Sequence, residues 1–315
     1  MKKSFVFPGQ GSQFVGMGKE IYNAFPVARE VFEEVDNALS QKLSQLIFEG
    51  PESDLNLTEN TQPALMAVSL AITRVLETEG NIDFENDDSI IMAAGHSLGE
   101  YSALTAMKAL TLADTARLLK IRGTAMQKAV PVGVGAMAAI LGMEYTDVVA
   151  IAAEVSKDGK ICAAANDNAN GQIVISGHKE AVEAAIALAS ERGARKSVLL
   201  PVSAPFHCAL MAPAADRMRE ALAEVDIKAP VVPVVANMTA SEVLVPEEIR
   251  ELLVEQVTGM VRWRESVLYM KERGVEQLIE VGAGKVLSGL TKRIDRALPA
   301  VSIQTPADIE AFLKG

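Results

Sequence analysis

The stretch Ser89-Ile90-Ile91-Met92-Ala93-Ala94-Gly95-His96-Ser97-Leu98-Gly99-Glu100 decides the fold. Its apolar first half predicts a buried strand, and Gly95-His96-Ser97-Leu98-Gly99 matches G-x-S-x-G. Residues 101–110, with Ala, Leu and Met spaced along them, predict a helix. Strand, sharp turn and helix together describe a nucleophile elbow. The glycines two before and two after the serine let strand and helix approach, because neither carries a Cβ. Ser97 then stands at a helix N-terminus, where main-chain N–H groups and the helix dipole favour a developing oxyanion.

Working outward, residues 3–7 predict a first strand leading into the tight loop Pro8-Gly9-Gln10-Gly11-Ser12-Gln13. No Gly-Lys-Ser/Thr follows, so this is not a phosphate-binding P-loop. Helices are expected over 26–39 and 61–76, and after the elbow over 112–128, which carries Arg117 and Arg122. From 137 the pattern becomes strand 137–141, helix 146–155, strands 161–165 and 172–176, helix 180–189 and strand 196–200. That βαββαβ order predicts a ferredoxin-like unit inserted in a larger domain. The large domain resumes with helix 211–225, strand 231–235, helices 246–257 and 264–273, strand 277–281, a helix to 294, strand 301–303 and helix 306–312. Alternating strands and helices predict a parallel sheet covered on both faces. The expectation is therefore an α/β chain: a large catalytic domain over 1–128 and 203–315, and a small ferredoxin-like domain over 129–202.

Composition limits the partners. The 315 residues are 49% hydrophobic with a net charge of −11, which argues against nucleic acid or an anionic membrane. Charge is uneven: residues 262–296 hold eight basic and five acidic side chains, +3, so the remainder is −14. Such a segment is either a solvated helix face or a basic patch for an acidic partner. Ser4-Phe5-Val6-Phe7 reads as strand and not as a signal-peptide apolar region, and no run reaches membrane-spanning length, so a cytoplasmic protein is expected. Two cysteines, Cys162 and Cys208, are too few for a disulfide framework or a cysteine-based metal site.

A serine hydroxyl needs a base, and the chain has three histidines. His96 precedes the nucleophile on an extended approach and should point away from it. His178 begins a small-domain helix and reads as a cap. His207, in Ser203-Ala204-Pro205-Phe206-His207-Cys208, lies where the small domain returns to the large one, in the cleft, and is the expected general base. Cys208 reads as a buried structural thiol. No aspartate is placed to orient the imidazole, so a main-chain carbonyl could do so. A missing acid suits an acyl group that itself carries a carboxylate, which an arginine would hold by two parallel hydrogen bonds. Arg122 and its rival Arg117 are the candidates, each with a surface ion pair as the alternative.

Phe7-Pro8-Gly9-Gln10-Gly11-Ser12-Gln13, Thr61-Gln62-Pro63-Ala64, Gly95-His96-Ser97-Leu98-Gly99-Glu100-Tyr101, Arg122-Gly123, Gly135-Ala136-Met137-Ala138-Ala139, Phe206-His207 and Glu280-Val281-Gly282 resemble the malonyl-CoA:acyl carrier protein transacylases of type II fatty acid synthesis. The resemblance runs from about residue 4 to about residue 303. It implies an α/β-hydrolase-like large domain with a ferredoxin-like small one, and a malonyl group passed through Ser97, with His207 as base. It further implies an oxyanion hole from the main-chain N–H groups of Gln10 and Leu98, and Arg122 on the malonyl carboxylate. The main-chain carbonyl of Gln256 would orient His207, Asn166 and Asn168 would face the cleft, and Phe206 would favour malonyl by leaving little room for an α-methyl branch. Partners implied are malonyl-CoA and acyl carrier protein. Such a transfer requires no metal or redox cofactor, and a monomer is expected because no self-association stripe is legible in the sequence. The chain departs from the family pattern at Gly259-Met260-Val261-Arg262-Trp263, where Asn-Pro-Val often precedes x-Trp, and at Gly282-Ala283-Gly284, often Gly-Pro-Gly. A serine esterase or thioesterase is the alternative enzyme, and a carrier-docking module without activity the non-enzymatic one.

Overall fold

The computed structural model describes residues 1–202 and 204–314; Ser203, where the large domain is expected to resume, and Gly315 lie outside the described residues. Ten strands form two sheets: β1 Lys3–Phe7, β2 Ile90–Gly95, β3 Gly135–Leu141, β4 Cys162–Ala169, β5 Gln172–His178, β6 Lys196–Leu199, β7 Val234–Ala236, β8 Ser241–Val243, β9 Gln277–Val281 and β10 Ala300–Ile303. The large sheet runs β10-β9-β1-β2-β7-β8 and the small one β4-β5-β3-β6.

Large-sheet pairings are parallel except β7–β8. Successive side chains on a strand face opposite sides, and the core follows that period. Phe5 and Phe7, Ala93, Ile279 and Val281 join the helices Pro26–Leu39 and Thr58–Thr78 on one face. Val6, Met92, Ala94 and Leu278 meet Trp263, Val267 and Leu287 on the other. Both faces are therefore covered, as the alternating pattern requires. Trp263 is fully buried, and its truncation to alanine would cost about 3–5 kcal/mol.

Some boundaries differ from the sequence reading. The strand expected at 231–235 forms only over Val234–Ala236, because Pro230 and Pro233 cannot donate to a ladder. β8 was not anticipated; it is three residues at the sheet edge, too short for a periodic signal. The helix expected from Thr61 begins at Thr58 and carries Pro63 inside it. The elbow helix occupies Leu98–Ala106, starting directly after Ser97, and gives way before Lys108, whose φ is 66°.

The small sheet is wholly antiparallel, with the helices Tyr145–Val155 and Lys179–Glu191 packed on it around Ile140, Val148, Ile173 and Val182. It is also stitched to the large sheet's surroundings. Asp167 N–H donates to Val261 O and Val261 N–H to Ala165 O, each at 2.9 Å. The Arg264 guanidinium grips the buried carboxylate of Asp167 at 2.7–3.1 Å. β4 bulges between Ala164 and Asn166 and again between Asp167 and Ala169, a device that re-aims side chains. Asn166 and Asn168 lie on this doubly anchored, bulged strand.

Candidate active site

Ser97 caps the helix Leu98–Ala106 with φ 54° and ψ −110°, a conformation that side chains rarely adopt. The turn has no space for larger flanking residues: a Cβ on Gly95 would lie 1.8 Å from Gly99 O, and one on Gly99 would lie 2.3 Å from Phe7 O. Asn237 holds the turn from below. Its Oδ1 accepts from Ser97 N–H at 2.8 Å and its Nδ2 donates to Gly95 O at 2.7 Å.

The Ser97 hydroxyl is 2.8 Å from Nε2 of His207. On the far side of that ring, Nδ1–H donates to Gln256 O at 2.9 Å and Gly259 O at 3.1 Å. Two carbonyls around Nδ1 keep the proton there, so Nε2 is the free acceptor that a general base needs. Burial, then the nearby Arg122 cation, push His207 down to about 3, so the imidazole is neutral. His207 itself has φ 57°. Among the described residues no carboxylate completes a triad; carbonyl oxygens occupy its place, one of them on Gly259, where the sequence departs from the family pattern. A Cβ at that position would strike Met238 Sδ at 2.2 Å.

Arg122 is wholly buried on the helix Leu112–Lys128. Its Nη1 donates to Gln62 Oε1 at 2.8 Å, and Nη2 to Gln256 Oε1 at 2.9 Å and Ser97 Oγ at 3.1 Å. The following glycine makes this possible, since a Cβ on Gly123 would fall 2.6 Å from Thr58 O and hold the two helices apart. Among the described residues Arg122 pairs with no carboxylate, and its buried Nε has no hydrogen-bond partner. A buried cation whose direct hydrogen-bond partners are all neutral oxygens is prepared for an anionic ligand. Arg117 is half exposed and pairs with Asp114 at 3.2 Å, a surface ion pair away from the site.

These groups line a pocket of about 100 Å³ together with Gln10, Gln62, Leu98, Asn166, Phe206 and Met137. Leu98 opens its helix, where N–H groups lack intrahelical acceptors. Asn168 instead turns to His96, its Oδ1 2.7 Å from Nε2. His96 makes no bond to Ser97 but lines the same pocket, its ring against Trp263 at 5.7 Å, and burial holds its pKa low. His178 caps a helix and accepts Ile161 N–H at 3.0 Å. Cys208 is buried, burial pushes its thiol pKa up, and it contacts Pro205 O at 3.2 Å. Neither belongs to the constellation.

Three residues of the site escaped the sequence reading of roles. Gln62 and Glu100 stand inside quoted motifs, where their types offer several uses. Asn237 follows a three-residue strand and had no local signal at all.

The model of the acyl transferase domain matches residues 4–300. The chain belongs to the acyl transferase family. The malonyl CoA-acyl carrier protein transacylase of Bacillus subtilis is 46% identical over 99% of this chain and 96% of its own. The crystal structure of the acyl-carrier-protein S-malonyltransferase of Bartonella henselae superposes with a TM-score of 0.96 at 54% identity, covering 100% of this chain and 99% of that one. A malonyl-transacylase in complex with its type II PKS acyl-carrier protein superposes with a TM-score of 0.95 at 42% identity, covering 100% and 99%. The two-sheet architecture of this acyl transferase is thus that of its structural neighbours. None of its helices is long and apolar enough to cross a membrane among the described residues.

Proposed function

We propose that this acyl transferase moves a malonyl group from malonyl-CoA to the phosphopantetheine thiol of an acyl carrier protein in fatty acid biosynthesis. The observation that carries the reading is one hydroxyl, Ser97 Oγ, placed between the neutral Nε2 of His207 and the carboxylate-free guanidinium of Arg122. The named relatives supply the acyl donor and acceptor classes.

His207 Nε2 takes the Ser97 proton as Oγ attacks the thioester carbon. The main-chain N–H groups of Gln10 and Leu98 hold the oxyanion, and the imidazolium returns its proton to the departing coenzyme A sulfur. The carrier thiol then gives its proton to His207 and attacks malonyl-Ser97, restoring the hydroxyl. Arg122 holds the malonyl carboxylate throughout, and Gln256 O with Gly259 O keeps the imidazole in the required tautomer. Asn166 and Phe206 shape the pocket, while Asn168 fixes His96 in its wall. No step calls for a metal or redox group.

The chain works as a cytoplasmic monomer, with residues 129–202 as a small domain between the two parts of the large one. Exposed Lys285, Lys292 and Arg296, around the helix Val286–Ile294, attract the acidic carrier. A thioesterase reading is not favoured, since it gives the buried Arg122 no role.

Intact mass after brief exposure to malonyl-CoA tests the cycle. A malonyl adduct absent from Ser97→Ala and discharged by carrier protein is expected. Rapid coenzyme A release without an adduct would instead identify a hydrolase, and neither release nor adduct would mean another donor.

A further inference from the structure

Glu100 is buried under the elbow on the helix Leu98–Ala106 and takes no part in the transfer steps. Its Oε2 accepts from Asn237 N–H at 3.0 Å and from Gln256 Nε2 at 2.8 Å. Both donors meet the same oxygen, so Oε1 can gain or lose a proton without breaking either bond.

The Gln256 amide continues the path. Its Nε2 also faces Ser97 O at 3.0 Å and Asn237 Oδ1 at 3.2 Å, and its Oε1 accepts from Arg122 at 2.9 Å. A flipped amide would set an NH₂ against the guanidinium and an oxygen against three acceptors, so only one orientation is possible. One rigid amide therefore separates two buried opposite charges. Neither Arg122 nor Glu100 has a direct ionic partner among the described residues.

We propose that Glu100 is a positioning residue which, through Gln256, balances the charge of Arg122 while the site is empty and takes up a proton when a substrate carboxylate binds Arg122. This rests on the reading that Arg122 holds the malonyl carboxylate. A second anion beside the same buried cation disfavours keeping both carboxylates ionised. Burial already pushes Glu100 up to about 7, so its proton uptake falls where the enzyme works. The other titratable groups facing this network cannot respond in its place. Tyr101, next on the same helix, has its phenol pushed up by burial and stays neutral; Arg122 stays charged; His207 and His96 beyond it are held neutral.

The test follows protons per adduct. Wild-type protein is acylated with malonyl-CoA, or with acetyl-CoA as an uncharged reference, in weak buffer with a pH indicator between about pH 6 and 8.5, with adducts counted by intact mass. Uptake should approach one proton per malonyl adduct near pH 8, shrink near pH 6, and vanish with acetyl. In Glu100→Gln the malonyl-specific uptake should be lost, and the decline of malonyl affinity above pH 7, limited to about tenfold per pH unit, should flatten. Equal uptake with both donors, or uptake retained in Glu100→Gln, overturns the inference. The wild-type comparison needs no variant and decides alone if Glu100→Gln fails to fold. Arg122→Ala separates the two readings: unchanged malonyl preference there refutes the carboxylate site itself, whereas lost preference with no malonyl-specific uptake in wild type refutes only the role of Glu100.

Discussion

Arg122 donates through Nη2 to the Oγ of Ser97 at 3.1 Å, so the cation that would select the acyl group also touches the atom that would attack it. Selection and attack therefore share one fixed point. Truncating a buried charged hydrogen-bond partner costs roughly 2–5 kcal/mol, so Arg122→Ala should lower kcat/KM for malonyl-CoA on the order of hundredfold or more. Acetyl transfer should change far less or improve. Steady-state kinetics with both donors measure this, and equal losses would remove the carboxylate role.

His207 carries a sign that can be read in stability. Its pKa is about 3 when folded, through burial and then Arg122, against 6.5 when unfolded. The unfolded chain thus binds the extra proton between those values, so this group makes stability fall as pH drops from 6.5 toward 3. Glu100 contributes oppositely: raised by burial from 4.5 to about 7, it makes stability fall as pH rises across that window. Urea denaturation of His207→Gln against pH should show a flatter acid side than wild type. The acid limb of kcat/KM for malonyl-Ser97 formation should likewise be absent down to about pH 5, since the base is already free.

The elbow, the order of the longer strands and helices, and the pair Ser97 and His207 were legible in the sequence because each rests on a local rule. Glycines flanking a serine, period-2 and period-3.6 patterns, and a histidine at a domain return are all short-range signals. The choice between Arg117 and Arg122 was not local; it depends on Gly123 letting one helix approach Thr58. Asn237 and the carbonyl of Gly259 were invisible for the same reason. They act through backbone and amide groups brought together by packing, and the β4 to Val261 stitching pairs segments almost a hundred residues apart.

The basic segment makes a separate prediction. Arg262, Arg264, Lys271 and Arg273 are engaged with Glu265, Asp167, Asp295 and Glu242, which leaves Lys285, Lys292, Arg293 and Arg296 as its exposed cations outside those pairs, Arg293 donating to the neutral Gln172. Lys285→Glu with Lys292→Glu should raise KM for the carrier about tenfold at low salt and leave malonyl-Ser97 formation unaltered. Screening should shrink the difference near 1 M salt, where charges interact over only about 3 Å. Carrier kinetics that do not respond at low salt would move the docking surface elsewhere.

Ser97 itself is held at φ 54° and ψ −110°, and such backbone costs about 1–3 kcal/mol for any residue with a Cβ. Glycine removes that cost, although its looser unfolded chain returns about 0.5–1 kcal/mol. Ser97→Gly should therefore be more stable than Ser97→Ala by about 1 kcal/mol, while both lack the nucleophile. Ser97→Ala keeps the strained turn and loses only the hydroxyl. Urea midpoints of the two inactive variants, measured side by side, isolate the backbone contribution because the hydroxyl is gone from both. If Ser97→Gly unfolds at the lower midpoint, the turn stores no strain, and the glycines at 95 and 99 alone account for its shape.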